Sequence, residues 1–175
     1  MNTASPITIS AAEVESACSL EEVVESQRKA FAGLISGTSV MGPRAVITNG
    51  ENAQFSYIAR ASSTAPTIVK FGSVTGSNSA KGLPVVQAYI AVMDSETGSL
   101  TYFVDGESVT RIRTTAASMV AAQELANKPN YITVIGSAPQ AIAHAKAALE
   151  LFKPKKLTIV VRSADKGQFV KAQFA

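Results

Sequence analysis

Three cations, Arg44, Lys70 and Arg113, stand among apolar neighbours rather than in charged runs. Lys70 is flanked by Ile68, Val69 and Phe71. Strand alternation allows it to point into the covered face of a sheet, where an unpartnered ammonium is costly and an anion is its natural company. Arg111 and Arg113, two apart on a helix, diverge by about 200°, so only one faces a given pocket. Taken singly, each cation is equally an ordinary surface charge or half of an intramolecular ion pair.

A second run with chemical content is Gly136-Ser137-Ala138-Pro139-Gln140-Ala141, directly after the apolar segment Tyr131–Ile135. A dinucleotide site needs a tight turn after a strand, a place for close approach of the pyrophosphate, a small residue for packing, and helix-terminal N–H groups. Gly136 supplies the turn and Ala141 the small residue. Ala138 replaces the middle glycine, and Pro139 removes one N–H. Alone, the pattern also describes a βα turn of any α/β protein. The next strand ends in Val161-Arg162-Ser163 without a carboxylate. An acid there would hold a ribose and an arginine would accept a 2′-phosphate, so this ending favours NADP(H) over NAD(H). The alternative is a surface arginine that closes a strand.

These residues need elements to hold them. Apolar positions at helical spacing, Val23, Val24, Ala30, Phe31, Leu34 and Ile35, predict a helix over 20–36, with a Ser19/Glu22 capping box and a stop at Gly37. A shorter helical turn follows Ser10, with Glu13 three residues on. Both helices are expected to lay one face on a sheet. Runs of β-branched and aromatic residues predict strands over 45–48, 53–60, 67–74, 85–94 and 100–105. Asn49-Gly50 and Ser95-Glu96-Thr97-Gly98 are turn signals, and 75–82 reads as a mobile polar loop. An alanine- and threonine-rich helix is expected over 108–126, ending at Asn127-Lys128-Pro129-Asn130. The domain boundary is placed there, giving domains 1–126 and 131–175. The second opens with a buried strand over 131–135, a helix to Phe152, a strand over 157–161 and a helix from near Asp165. Strand, glycine turn, helix, strand is the opening of a doubly wound nucleotide-binding fold, so the sequence reads as the N-terminal part of a longer protein.

Composition narrows the classes further. The chain has 175 residues, 46% of them hydrophobic and 17% charged, which suits a packed core. One cysteine, Cys18, and one histidine, His144, exclude a disulfide scaffold and a Cys/His zinc site, and no metal is expected. Sixteen basic against thirteen acidic residues is a small excess, and the Lys153, Lys155, Lys156 cluster lacks interleaved aromatic residues, so no nucleic-acid partner is expected. No apolar run is long enough to span a bilayer and no signal-peptide order opens the chain, so the expectation is a cytoplasmic protein without a membrane partner.

Four segments together carry a resemblance: Gly82-Leu83-Pro84; Asp94-Ser95-Glu96-Thr97-Gly98; Val109-Thr110-Arg111-Ile112-Arg113-Thr114-Thr115-Ala116-Ala117-Ser118; and Ile135-Gly136-Ser137-Ala138-Pro139-Gln140-Ala141. In order and spacing the chain resembles the ornithine cyclodeaminase/mu-crystallin family, with Lys70 and the Pro43-Arg44 pair falling where that family has a lysine and an arginine. The resemblance implies an α/β protein: an N-terminal α+β substrate and dimerisation domain followed by the start of a Rossmann-type domain. It implies hydride exchange at the α-carbon of an amino or imino acid with NAD or NADP, as a cyclodeaminase, ketimine reductase or amino-acid dehydrogenase. The alternative is a non-catalytic, crystallin-like member or an inactive truncated fragment. Carried onto this chain, Arg44, Lys70 and Arg113 would bind the substrate carboxylate, and Lys70 would also assist proton transfer. Thr114, Gly136, Ser137, Ala138, Pro139, Gln140 and Ala141, with Arg162 and Ser163, would contact the cofactor. A small amino or imino acid and a second copy of the chain are the partners implied. The acid–base aspartate of the family's cyclodeaminases would lie beyond Ala175.

Overall fold

The computed structural model describes residues 5–174. They divide into two compact units, one of residues 5–18 with 29–110 and the other of residues 19–28 with 111–174. The division falls inside two helices, α2 (Leu20–Ser36) and α3 (Gly106–Leu125), rather than at residues 127–130.

The first unit is built on a seven-stranded sheet. Its strands are β1 (Ile7–Ile9), β2 (Val40–Met41), β3 (Ala45–Asn49), β4 (Asn52–Arg60), β5 (Thr67–Val74), β6 (Val86–Met93) and β7 (Leu100–Asp105). The order is β1-β7-β6-β5-β4-β2, with β3 also paired to β4; β1 runs parallel to β7 and every other pair is antiparallel. Gly72 lets β5 and β6 close, because a Cβ there would stand 2.2 Å from the Gln87 carbonyl oxygen. The β6–β7 turn is held by Asp94, whose Oδ1 accepts from the Glu96 N–H at 3.1 Å and from the Thr97 N–H and hydroxyl, each at 2.8 Å. These donors hold the Asp94 carboxyl below its ordinary range, the Thr97 backbone first, then its hydroxyl and the Glu96 backbone. The Asp94–Gly98 segment therefore serves the fold.

Helix α1 (Ala11–Ser16) starts at the Ser10/Glu13 capping box. In α2 the Ser19 N–H donates to Glu22 Oε2 at 2.8 Å, and Gly37 leaves the helix at φ +76°. The apolar stripe of α2 extends beyond what it covers: Val24 is buried, but Phe31, Leu34 and Ile35 are 44%, 47% and 89% exposed. Segment 75–82 differs from the loop expected of it. Residues Gly76–Lys81 form a 3-10 turn with Asn78 buried, because the Asn78 amide donates to the Pro84 carbonyl at 2.9 Å.

The second unit holds β8 (Tyr131–Ile135), α4 (Pro139–Phe152), β9 (Lys156–Val160) and α5 (Ala164–Ala172). Strands β8 and β9 pair in parallel with Tyr131 opposite Lys156 and Ile135 opposite Val160. Val24, Ala116, Met119, Val120, Ala147 and Ala148 form the core, with Ile132 and Leu157 packed on it from the two strands. Strand β8 is not buried on both sides as its composition suggested: Tyr131 and Ile135 are 74% and 81% exposed, since alternation turns them away from this core. No helix among the described residues is long and apolar enough to cross a membrane.

Candidate active site

In the first unit, Tyr57, Lys70, Ile90, Val104 and Ile9 lie directly opposite one another across successive strands and so share one face of the sheet. The first turn of α3 closes on β6 beside this row, where a Cβ on Gly106 would stand 2.7 Å from the Ala88 carbonyl carbon. Asp105 caps that turn by accepting the Ser108 N–H at 2.7 Å, which starts α3 two residues earlier than expected. Lys70 is 7% exposed, and its ammonium donates to the Thr110 hydroxyl, which donates in turn to the Gly106 carbonyl. The lysine is thus covered, as alternation suggested, and a helix-borne hydroxyl fixes its head. The Arg44 guanidinium lies over the Tyr57 ring, 5.3 Å from its centroid, a stabilising cation–π contact. Since Tyr57 is the cross-strand neighbour of Lys70, two of the three singled-out cations belong to one local array. Arg113 is exposed on α3 and belongs to the second unit, as does Arg111.

The second unit carries the glycine turn. Gly136 adopts φ +130°, a backbone state that favours glycine, and its N–H donates to the Val160 carbonyl at 2.9 Å. A Cβ at Gly136 would lie 3.2 Å from that of Ala141, so the first and last members of the run meet as small residues. Ala138 is the N-cap of α4 at φ −75° and ψ 162°, which any L-residue adopts, so the missing glycine imposes no backbone strain. Pro139 occupies the first turn of α4, where an N–H has no partner within the helix, and no loss of a helical hydrogen bond follows. Among the described residues, no side chain caps this helix start. On α3 the Thr114 hydroxyl oxygen is buried without a hydrogen-bond partner among the described residues. A glycine turn, a helix start without a side-chain cap and an orphaned hydroxyl fit a dinucleotide's phosphates and polar edges.

Arg162 and Ser163 follow β9 and are exposed. The Ser163 hydroxyl engages Asp165 and is the main reason its carboxyl lies below the usual range. Gln140 differs from the rest of the run, since its side chain turns to α3: the amide nitrogen donates to the Arg111 carbonyl and to Thr115 Oγ1, each at 3.2 Å. Sequence reasoning missed three further groups: Tyr57 beneath Arg44, Thr110 against Lys70, and His144 with Ser118. Tyr57 could be found only from strand register. Thr110 and Ser118 lie in the quoted helical motif, and His144 stands one turn after Gln140. No group of His, Cys, Asp and Glu among the described residues could hold a metal ion.

A mostly antiparallel sheet leading into a parallel β8-α4-β9 unit with a glycine turn is the architecture of a domain that precedes a Rossmann-type dinucleotide-binding fold. The chain belongs to the ornithine cyclodeaminase/mu-crystallin family, whose model matches residues 5–172. It is 34% identical over 109 residues to a Δ1-pyrroline-2-carboxylate reductase of Burkholderia multivorans, an alignment that covers 62% of this chain and 35% of that protein. It is similar to the Thermococcus litoralis Δ1-pyrroline-2-carboxylate reductase solved with NADH and L-proline, with a TM-score of 0.87 and 27% identity over 95% of this chain and 53% of that one. It is also similar to an archaeal alanine dehydrogenase dimer with bound NAD, with a TM-score of 0.87 and 25% identity over 95% of this chain and 52% of that one. The chain thus spans about half the length of these solved relatives.

Proposed function

We propose that the protein is an NAD(P)-dependent enzyme acting at the α-carbon of a small amino or imino acid, with a cyclic imino acid such as Δ1-pyrroline-2-carboxylate as the preferred class. The observation that carries this reading is the buried Lys70 beside the Tyr57–Arg44 stack. Arg44 and Lys70 bind the substrate carboxylate and so fix the α-carbon. Thr114, the Gly136–Pro139 segment and Ala141 would hold the dinucleotide, whose nicotinamide would supply or accept hydride at that carbon. Lys70, with its head set by Thr110, moves the proton at the substrate nitrogen. Arg162 leads us to favour NADP(H) over NAD(H), by pairing with a 2′-phosphate.

The sheet face opposite Lys70 supports a homodimer. Ile47, Ile58, Phe71 and Tyr89 on that face are 73%, 44%, 38% and 50% exposed, and Ile47, Phe71 and Tyr89 line an open groove of about 450 Å³. A second copy covers this apolar surface. The activity is tested on the whole protein by following A340 with NADH and NADPH against cyclic imines, α-keto acids with amines, and ornithine. Turnover of a cyclic imino acid is expected. No turnover in the panel, with no ammonia from ornithine, contradicts the reading.

A further inference from the structure

The polar network between α3 and α4 has no part in binding as argued above, yet it joins the two segments on which the second unit's binding residues stand. Gln140, the second residue of α4, donates from its side chain to the Arg111 carbonyl and to Thr115 Oγ1, each at 3.2 Å. One turn later, His144 Nδ1 lies 2.7 Å from the Gln140 carbonyl oxygen, and Nε2 lies 2.9 Å from Ser118 Oγ. A carbonyl only accepts, so Nδ1 carries the proton; in the neutral ring Nε2 then accepts from the Ser118 hydroxyl. Arg111, Thr115 and Ser118 are spaced four and three residues apart and form one stripe of α3, while Gln140 and His144 form the matching stripe of α4. Thr115 is 4% exposed and the adjacent Ala116 and Ala145 are wholly buried. The bonds are therefore partly shielded from water, and sliding the helices by one turn would break all three that join them.

We propose that Gln140 and His144 are positioning residues: a clasp that holds the glycine turn in register with the Arg113–Thr114 segment of α3. Gln140 directly follows Gly136–Pro139, and Thr115 directly follows Thr114. The bond between Gln140 and Thr115 therefore ties the proposed phosphate turn to the orphaned Thr114 hydroxyl through the shortest available path. Gln140 acts by holding the turn and does not itself contact the dinucleotide. The inference rests on the proposed dinucleotide site.

The test uses the whole protein. Gln140→Met keeps the side chain's length and removes its donor, and Gln140→Glu sets a carboxylate against the Arg111 carbonyl. Thr115→Val breaks the same bond from the other side, while Thr115→Ser keeps the hydroxyl. NADH and NADPH affinity is read by fluorescence titration, protection of the 136–141 amides by hydrogen exchange, and kcat and KM with the cyclic imino acid. The expected result for Gln140→Met and Thr115→Val is roughly ten-fold weaker dinucleotide binding, faster exchange in the turn and a kcat lowered roughly ten-fold, with the imino-acid KM within about two-fold. Thr115→Ser should restore all of these. The double variant Gln140→Met/Thr115→Val should be no worse than Gln140→Met, since Thr115→Val removes one of the two bonds that Gln140→Met removes. Unchanged affinity and unchanged exchange in folded Gln140→Met and Gln140→Glu would overturn the clasp. If the parent protein binds NADH but reduces no imino acid, the functional reading fails while the affinity ratio still decides the clasp; if it binds neither dinucleotide, both fail.

Discussion

Replacing Lys70 by methionine should separate activity from stability. The lysine is 7% exposed, and methionine follows its methylene path while removing the charge. Thr110 keeps its own bond to the Gly106 carbonyl, so no buried hydroxyl is orphaned by the change. Removing a buried ammonium relieves its desolvation, and the lost Lys70–Thr110 bond offsets that gain. The net change should stay within about 1 kcal/mol, or a Tm shift of about 2–4 °C for a chain of this size. Substrate binding loses one charge-assisted hydrogen bond to a carboxylate, about 1.5–3 kcal/mol, or roughly 10- to 150-fold in affinity. Loss of the proton donor should lower kcat by a further ~100-fold or more. The assays are thermal unfolding of the variant and steady-state reduction of the cyclic imino acid followed at A340. A Tm lowered by more than about 8 °C with kcat/KM unchanged would refute the reasoning and make Lys70 a structural brace.

Gly72→Ala should cost about 1–3 kcal/mol, seen as a lowered Tm, because the new Cβ meets the Gln87 carbonyl at 2.2 Å on a neighbouring strand that cannot yield alone. Glu22 is held below its ordinary value of 4.5 by the Ser19 N–H first and the Ser19 hydroxyl second. A lowered folded-state pKa means that its contribution is complete above the unfolded value and is lost as pH falls through the folded one. Thermal unfolding from pH ~6 down to ~3 should therefore be less steeply pH-dependent in Glu22→Gln than in the parent. Ile47→Glu, on the open sheet face, should yield a monomer by light scattering with the far-UV circular dichroism of the parent.

Local signals made much of the fold legible in the sequence. The Ser10/Glu13 and Ser19/Glu22 pairs start α1 and α2, and the longer strands fall within two residues of the β-branched runs. What escaped depends on contacts between distant residues. Strand β1 is three residues long and β2 two, too short for alternation to register, and each exists by pairing with β7 or β4. The 3-10 turn depends on one amide, Asn78, reaching Pro84. Residue type picked out Arg44 and Lys70, but their association through Tyr57 follows from the β4–β5 register, which composition does not encode. The place of Gln140 in the glycine turn is legible in the sequence, but the direction of its side chain, onto α3, is not.

The central claim is that the cations exist to hold a carboxylate, and removing the carboxylate from the substrate tests it most directly. Compare kcat/KM for Δ1-pyrroline-2-carboxylate with that for Δ1-pyrroline, the same ring without the acid. Two charge-assisted hydrogen bonds at about 1.5–3 kcal/mol each predict a loss of roughly two to four orders of magnitude. Arg44→Ala should slow the acid and leave the residual rate on the bare ring unchanged. Equal turnover of the two rings would contradict the account.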